Sequence, residues 1–245
     1  MSSPGWRSGV LARARPLTPT ARSLVFTVED WPGNEAGQHV DIRLTAPDGY
    51  QAVRSYSLAS AGFGAGSADQ PELELVVDRL PDGEVSPFLV DELEVGDTVE
   101  LRGPLGRWFV WTPQQTRPVQ LIAGGSGVVP FVAMARAHAG AEGAAPMRLL
   151  YSLRSPADAF YRDELSSPTA SVDTTWHYTR AVPAEWPRSA GRLTADDLAR
   201  ETLPASARPL IFICGPTGFV ETVARAMIEL GHADDDIRTE RFGGI

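Results

Sequence analysis

Two short stretches pair chemically useful residue types with telling neighbours. The first, LIAGGSGVVPF over residues 121–131, runs from an apolar stretch through Gly124-Gly125-Ser126-Gly127 into a helix-like segment. Glycine lets the backbone turn tightly and lets a phosphate approach closely. A helix starting there aims free N–H groups and the positive end of its dipole at an anion. Pro130 fits the first helical turn, where its missing N–H would have no partner. Gly125, Ser126, Gly127 and Pro130 are therefore candidates to cradle a pyrophosphate. The same run is one glycine short of a G-x-S-x-G nucleophile elbow, because Val128 takes the last position. The second stretch, FICGPTG over residues 212–218, carries Cys214, the chain's one cysteine, from a buried run into a Gly-Pro turn. A thiol there is small and polarizable, and free cysteine is often simply a buried hydrophobe. As a nucleophile at a helix start it would need a histidine base, and His177 is the one candidate near a strand end.

Other chemistry is narrowed by what the sequence lacks. All 22 basic residues are arginine, so a phosphate-loop lysine and a lysine Schiff base are ruled out. His39, His138, His177 and His232 lie far apart, and a single cysteine cannot ligate an iron–sulfur cluster, so no metal site is expected. A net charge of −9 argues against nucleic acid as a partner, though it leaves room for a local arginine patch facing an acidic protein. With 43% apolar residues and no run of bilayer length, a globular protein without a membrane span is expected. The opening MSSPGWRSGV has no basic segment followed by an apolar stretch, and one cysteine forms no internal disulfide, so a cytoplasmic location is the default.

The elements that must position these residues fall into two halves. Up to about residue 110 the chain reads as short alternating strands stopped by turn residues: SLVFTVED before Trp-Pro-Gly, QHVDIRLTA before Pro-Asp-Gly, RSYSLAS before the loop AGFGAGSADQ, ELELVVDRL before Pro-Asp-Gly, and DTVELRGPLGRWFVW. That spacing suggests a barrel or sandwich. In VSPFLVDEL, Ser86 is expected to cap a short helix with Pro87 at its first position. TPQQTRP, residues 112–118, reads as a linker, which puts domains at 1–112 and 113–245. Beyond it strands and helices alternate: VQLIAGG, PFVAMARAHA, RLLYSL, DAFYRDEL, TTWHYTR, TADDLAR capped by Thr194, PLIFICG, GFVETVARAMIELG and IRTERF. Alternation of this kind predicts a parallel sheet covered by helices.

RSYSLAS, GGSGVVP and CGP, in this order and across this change of pattern, resemble the ferredoxin–NADP reductase family of flavoproteins over nearly the whole chain. The resemblance implies an N-terminal antiparallel six-stranded β-barrel that binds the flavin and a Rossmann-like parallel α/β domain that binds NAD(P)H. It implies that Arg54 contacts the flavin phosphates, that Tyr56 packs against the isoalloxazine or ribityl region, that Ser57 hydrogen-bonds near flavin N5, and that Ser55 among them belongs to the cofactor-binding set. The residue types suit those tasks: a guanidinium for phosphate, an aromatic face for a flat ring, and a hydroxyl that donates or accepts. Val76, Val77 and Asp78 are expected at the flavin edge. Gly83, Glu84, Val85 and Ser86 match the family's second phosphate element, which favours FAD over FMN. Cys214 is placed beside the nicotinamide C4 and flavin N5, with Gly215 and Pro216 shaping the ribose and phosphate pocket. Glu240 and Phe242 match a C-terminal Glu-x-aromatic, with Phe242 stacking on the flavin, although Gly243-Gly244-Ile245 extends past it.

Coenzyme choice is expected at the end of RLLYSL, where an acid favours NAD and arginine favours NADP. Ser152 and Arg154 stand there, Arg162 follows in a run resembling diflavin reductases, and Asp158 lies beyond the strand end. The reading is NADPH over NADH. The expected activity is an FAD-dependent reductase that takes hydride from NAD(P)H and passes electrons to a separate acceptor, a ferredoxin or oxygenase component, with Arg102 and Arg107 as a docking patch. Reduction of free flavin or quinones, and a non-catalytic flavin subunit of a larger enzyme, remain the alternatives.

Overall fold

The computed structural model describes residues 5–62 and 72–243. The loop AGFGAGSADQ from residue 63 onward, and Gly244 and Ile245 of the C-terminal extension, lie outside the described residues. The chain divides into two compact units, Met1–Val110 and Trp111–Ile245.

The first unit is an antiparallel sheet of six strands: β1 (Trp6–Thr18), β2 (Ala21–Val28), β3 (His39–Thr45), β4 (Gln51–Ser57), β5 (Glu72–Asp78) and β6 (Thr98–Leu105). Their order is β4-β3-β6-β1-β2-β5, and a bridge between Leu58 and Leu75 joins the two edge strands, closing the barrel. Alternate residues point inward, and Leu24, Phe26, Val40, Ile42, Leu73, Leu75 and Leu101 fill the interior. The sequence reading did not register β1. Only Gly9 and Leu11 of that strand are buried, and its exposed residues Ser8, Val10, Arg13, Arg15 and Pro16 mix polar and apolar types, so it shows little apolar alternation. Gly9 has a spatial reason to be glycine: a Cβ there would sit 2.3 Å from Leu101 Cδ1.

The helix expected to be capped by Ser86 is instead a brief helical segment passing into a π-helical turn, Phe88–Glu92. Ser86 does not cap it. The preceding loop folds back, and Ser86 Oγ accepts from the Leu80 N–H at 3.0 Å. Arg22 of β2 holds the far end, donating from Nη1 to the carbonyls of Val90 at 2.7 Å, Leu93 at 3.2 Å and Leu89 at 3.4 Å.

The second unit alternates β7 (Val119–Gly124), α1 (Val129–Ala139), β8 (Met147–Leu153), α2 (Arg162–Leu165), β9 (Asp173–Tyr178), α3 (Ala195–Glu201), β10 (Leu210–Pro216), α4 (Thr217–Glu229) and β11 (Ile237–Phe242). All pairings are parallel, in the order β11-β10-β7-β8-β9. The strand order reverses between β7 and β10, which is where open α/β sheets bind ligands, outside the carboxyl ends of the strands. Thr194 caps α3 through a reciprocal box with Asp197, as the sequence suggests. DAFYRDEL does not form one helix: Pro156–Asp158 makes a 3₁₀ turn, Tyr161 takes a left-handed φ of 52°, and α2 keeps four residues. Burial of the adjacent rings of Phe160 and Tyr161 breaks the run, since neighbouring residues point in different directions from a helix. Within 112–118, Arg117 is fastened to its own unit, donating to Asp236 Oδ1 at 2.8 Å and the Arg208 carbonyl at 2.9 Å.

Candidate active site

In the first unit, barrel closure brings two separate sequence stretches together. β4 ends at Ser57, and the following Leu58 bridges to Leu75, which precedes Val76-Val77-Asp78 in β5. Arg54 is exposed on edge strand β4, and Tyr56 and Ser57 are half-buried beside it. Burial pushes the Tyr56 phenol up to about 12, outweighing the opposite influence of Arg54, so the ring stays neutral and would not repel a phosphate. The Ser55 hydroxyl donates a hydrogen bond to Asp41 Oδ1 at 2.6 Å and braces β4 against β3. Val76 and Val77 are buried, leaving backbone as the polar part of that stretch, and Asp78 Oδ1 accepts from the Thr20 hydroxyl at 2.9 Å.

The turn from Gly83 to Ser86 is tight. A Cβ on Gly83 would lie 2.8 Å from Ser86 Oγ and 3.1 Å from the Leu80 carbonyl. Val85 and Ser86 are buried, while the Glu84 side chain is exposed and meets Arg54 Nη2 at 2.5 Å. An exposed guanidinium facing a glycine turn that admits no side chain is a donor set that fits the phosphates of a flavin.

In the second unit the ends of β7 and β10 meet through glycine. A Cβ on Gly127 would fall 2.3 Å from the Cys214 carbonyl oxygen, one on Gly124 would fall 2.7 Å from the Phe219 ring, and one on Gly215 would fall 3.1 Å from Gly124 Cα. Gly125 has a φ of +55° and open space beside it. Gly125 and Ser126 remain partly accessible in the 3₁₀ turn Gly125–Val128, whereas Pro130 is buried in the first turn of α1 and shapes that turn without lining it. A backbone packed this closely at the strand switch point fits a dinucleotide.

Cys214 is buried and stands in register with Ala123 of β7 and Glu240 of β11. Burial, with the Glu240 carboxylate adding to it, drives the thiol well above its usual range despite the Gly215 N–H. It is therefore a neutral thiol, the wrong state for a nucleophile. His177 is no base for it: its Nε2 lies 2.9 Å from the Gly191 carbonyl, and β9 is separated from β10 by β8 and β7, about 14 Å of sheet. Phe242 pairs with Pro216 in register and is 38% exposed, and the Thr217 hydroxyl donates to the Gly243 carbonyl at 3.0 Å just beyond it.

Ser152 is buried at the end of β8, in register with Gly124 and His177. Arg154 follows it, exposed, and its carbonyl accepts from the N–H groups of Arg180 at 2.9 Å and Ala181 at 3.1 Å. Arg162, also exposed, acts electrostatically on Tyr178, the last residue of β9. Sequence reasoning missed Arg180. Its membership of this group depends on the pairing of β9 with β8, which residue spacing does not reveal. Asp158, an acid that would favour NAD, accepts from Ser155 Oγ at 2.6 Å. Arg102 is no free surface cation: its Nη2 meets Asp41 Oδ2 at 2.5 Å and its guanidinium lies 4.8 Å from the Trp6 ring.

Residues 12–110 match the oxidoreductase FAD-binding domain and residues 121–225 the oxidoreductase NAD-binding domain. The chain is 35% identical over 242 residues to ferredoxin–NADP reductase B of Sorangium cellulosum (strain So ce56), covering 95% of this chain and 96% of that one. The chain belongs to the ferredoxin–NADP reductase family. It is an FAD-dependent NAD(P)H oxidoreductase of that family. It is also 31% identical to NADH-cytochrome b5 reductase 1 of Emericella nidulans over 210 residues, 82% of this chain, and spans 65% of that relative's length. Among solved structures, the FAD/NAD-binding domain of a nitric oxide dioxygenase from Vibrio cholerae O1 biovar El Tor superposes with a TM-score of 0.83 at 26% identity, covering 97% of this chain and 99% of that one. No helix among the described residues is long and apolar enough to cross a membrane.

Proposed function

We propose that this reductase uses NADPH in preference to NADH and delivers electrons to a separate redox protein of the ferredoxin type in the cytoplasm. The observation that carries the coenzyme preference is a group of exposed arginines: Arg154 just past β8, Arg180 just past β9 and tied to it by backbone, and Arg162 at the start of α2. Guanidinium groups match the 2′-phosphate that distinguishes NADPH. Asp158, the acid that could bind a ribose 2′-hydroxyl instead, is engaged by Ser155. The ferredoxin acceptor is supported by the near full-length relative named ferredoxin–NADP reductase B.

A flavin held at this site would supply the chemistry of accepting a hydride from NAD(P)H and passing electrons onward. The chain's residues do the rest. Arg54 and the Gly83–Ser86 turn hold the flavin phosphates, and the backbone of Val76, Val77 and Asp78 meets the flavin edge. Ser57 supplies a hydroxyl that donates or accepts at N5. Gly125, Ser126 and Gly127 receive the coenzyme pyrophosphate, while Gly215 and Pro216 shape the ribose end. Cys214 stays protonated and gives the nicotinamide a small, soft neighbour. Glu240 sets the electrostatics around it, and Phe242 offers an accessible ring.

Anaerobic stopped-flow mixing of the FAD-loaded protein with NADPH and then NADH tests the reading. Fast bleaching of the flavin band with NADPH and slow bleaching with NADH is expected. The reverse order removes the role of the arginines, and no bleaching with either coenzyme removes hydride transfer and leaves an electron-transfer subunit. Turnover with an added ferredoxin faster than with free flavin or quinone is expected, and parity would remove the protein acceptor.

A further inference from the structure

The anion seat on Arg54 is held by an acid belonging to the phosphate turn itself. Arg54 Nη1 donates to the Val53 carbonyl at 2.8 Å, which fixes the guanidinium, and Nη2 donates to Glu84 Oε2 at 2.5 Å. The other oxygen of that carboxylate accepts from the Tyr50 hydroxyl at 2.9 Å. Glu84 follows Gly83 in a turn that already excludes a Cβ, so its backbone has little freedom to carry the side chain elsewhere. The residue places a negative charge where phosphate charge is wanted.

We propose that Glu84 is a specificity-determining residue for the flavin. Its carboxylate competes with the flavin phosphate for Arg54, and a phosphorylated flavin binds by displacing it toward Tyr50. The inference rests on the assignment of Arg54 to the flavin phosphates. Two physical points support competition. Arg54 presents one Nη2 edge, and like charges sharing it repel. Both side chains are about half exposed, at 51% and 47%, so the ion pair is weak enough for a doubly charged ligand to displace. The consequence is a site that holds flavin less tightly than its other donors permit and discriminates against flavins lacking a phosphate less than it otherwise would.

The test is equilibrium titration of flavin-stripped protein with FAD and with riboflavin, which carries no phosphate, read by flavin fluorescence. Glu84→Gln is expected to tighten FAD about three- to tenfold and to leave riboflavin unchanged. In an Arg54→Gln background the same change is expected to leave the FAD affinity within about twofold, because the contested partner is gone. Weaker or unchanged FAD binding by Glu84→Gln overturns the proposal, as does equal tightening of riboflavin or a gain that survives in the Arg54→Gln background. If Arg54→Gln alone leaves FAD affinity intact, the phosphate role of Arg54 falls first and the competition falls with it. Glu84→Ala and a thermal melt of each variant separate these effects from misfolding.

Discussion

Gly127 lies against the main chain of Cys214: a Cβ added to it would stand 2.3 Å from the Cys214 carbonyl oxygen. Two sequence stretches nearly ninety residues apart are thus locked together by the absence of one carbon atom. The contact is with backbone, which cannot swing aside as a side-chain tip could. Gly127→Ala is expected to destabilise the second unit by about 1–3 kcal/mol and to weaken NADPH binding, as read by urea unfolding and coenzyme titration. Gly125→Ala meets open space and should be milder, about 1 kcal/mol, from its positive φ alone. Equal effects at both positions would show that the close approach does not govern the turn.

Cys214 should be inert in the native protein. Its thiol is buried and held protonated well above the ordinary range by burial and by Glu240. A disulfide reagent at pH 8 is expected to label it no faster than the protein unfolds, with full labelling in guanidinium. Labelling at the rate of a free thiol would revive the nucleophile reading.

Arg180 gives a sharper test of the coenzyme reading than the arginines visible in the sequence. Arg180→Ala is expected to raise KM for NADPH about tenfold, the loss of one charge-assisted contact, while KM for NADH stays within about twofold. A parallel loss for both coenzymes would assign Arg180 to the architecture of β9 and not to the 2′-phosphate.

The first unit should be acid-sensitive through Asp41. Burial pushes this carboxyl up, but the Ser55 hydroxyl and the Arg102 guanidinium outweigh burial and leave it below its ordinary value. A carboxylate depressed in the folded state contributes stability that is present above its unfolded pKa, roughly 4, and is lost as pH falls through the folded value. The urea midpoint of the wild-type protein should therefore fall more steeply below pH 4 than that of Asp41→Asn. Parallel curves would remove the Ser55–Asp41–Arg102 brace from the acid response.

Arg22 is the brace behind the Gly83–Ser86 turn, because its guanidinium meets three carbonyls at the far end of the π-helical segment. Arg22→Ala strands those acceptors and should reduce stability by about 2 kcal/mol. FAD affinity should fall while riboflavin affinity changes less, since the loosened segment carries the turn proposed to hold the flavin phosphates. Equal losses for both ligands would show that the brace serves the whole barrel.

Much was legible in the sequence because it rests on local physics. The alternation of β2 and β5, the buried runs of β7 and β10, the capping box at Thr194 and the glycine turn at 124–127 are each written in neighbouring residues, where side-chain period, capping chemistry and backbone freedom act. Local pattern also carried the order barrel first, α/β second. What it could not carry is pairing. β1 was missed because Gly9 and Leu11 alone are buried in it and its exposed residues mix polar and apolar types, so its partners β2 and β6 define it more than its own residues do. The Ser86 hydroxyl went to Leu80 instead of a helix cap because a loop folded back on it. Arg180 joined Arg154 only through strand register, Arg102 was drawn from the surface onto Asp41, and Glu84 reached Arg54 from thirty residues away. Residue types and their spacing determined which chemistry this protein could hold. Only the tertiary structure decided which charges meet, because electrostatics and hydrogen bonding act over a few ångströms of space, whatever the distance along the chain.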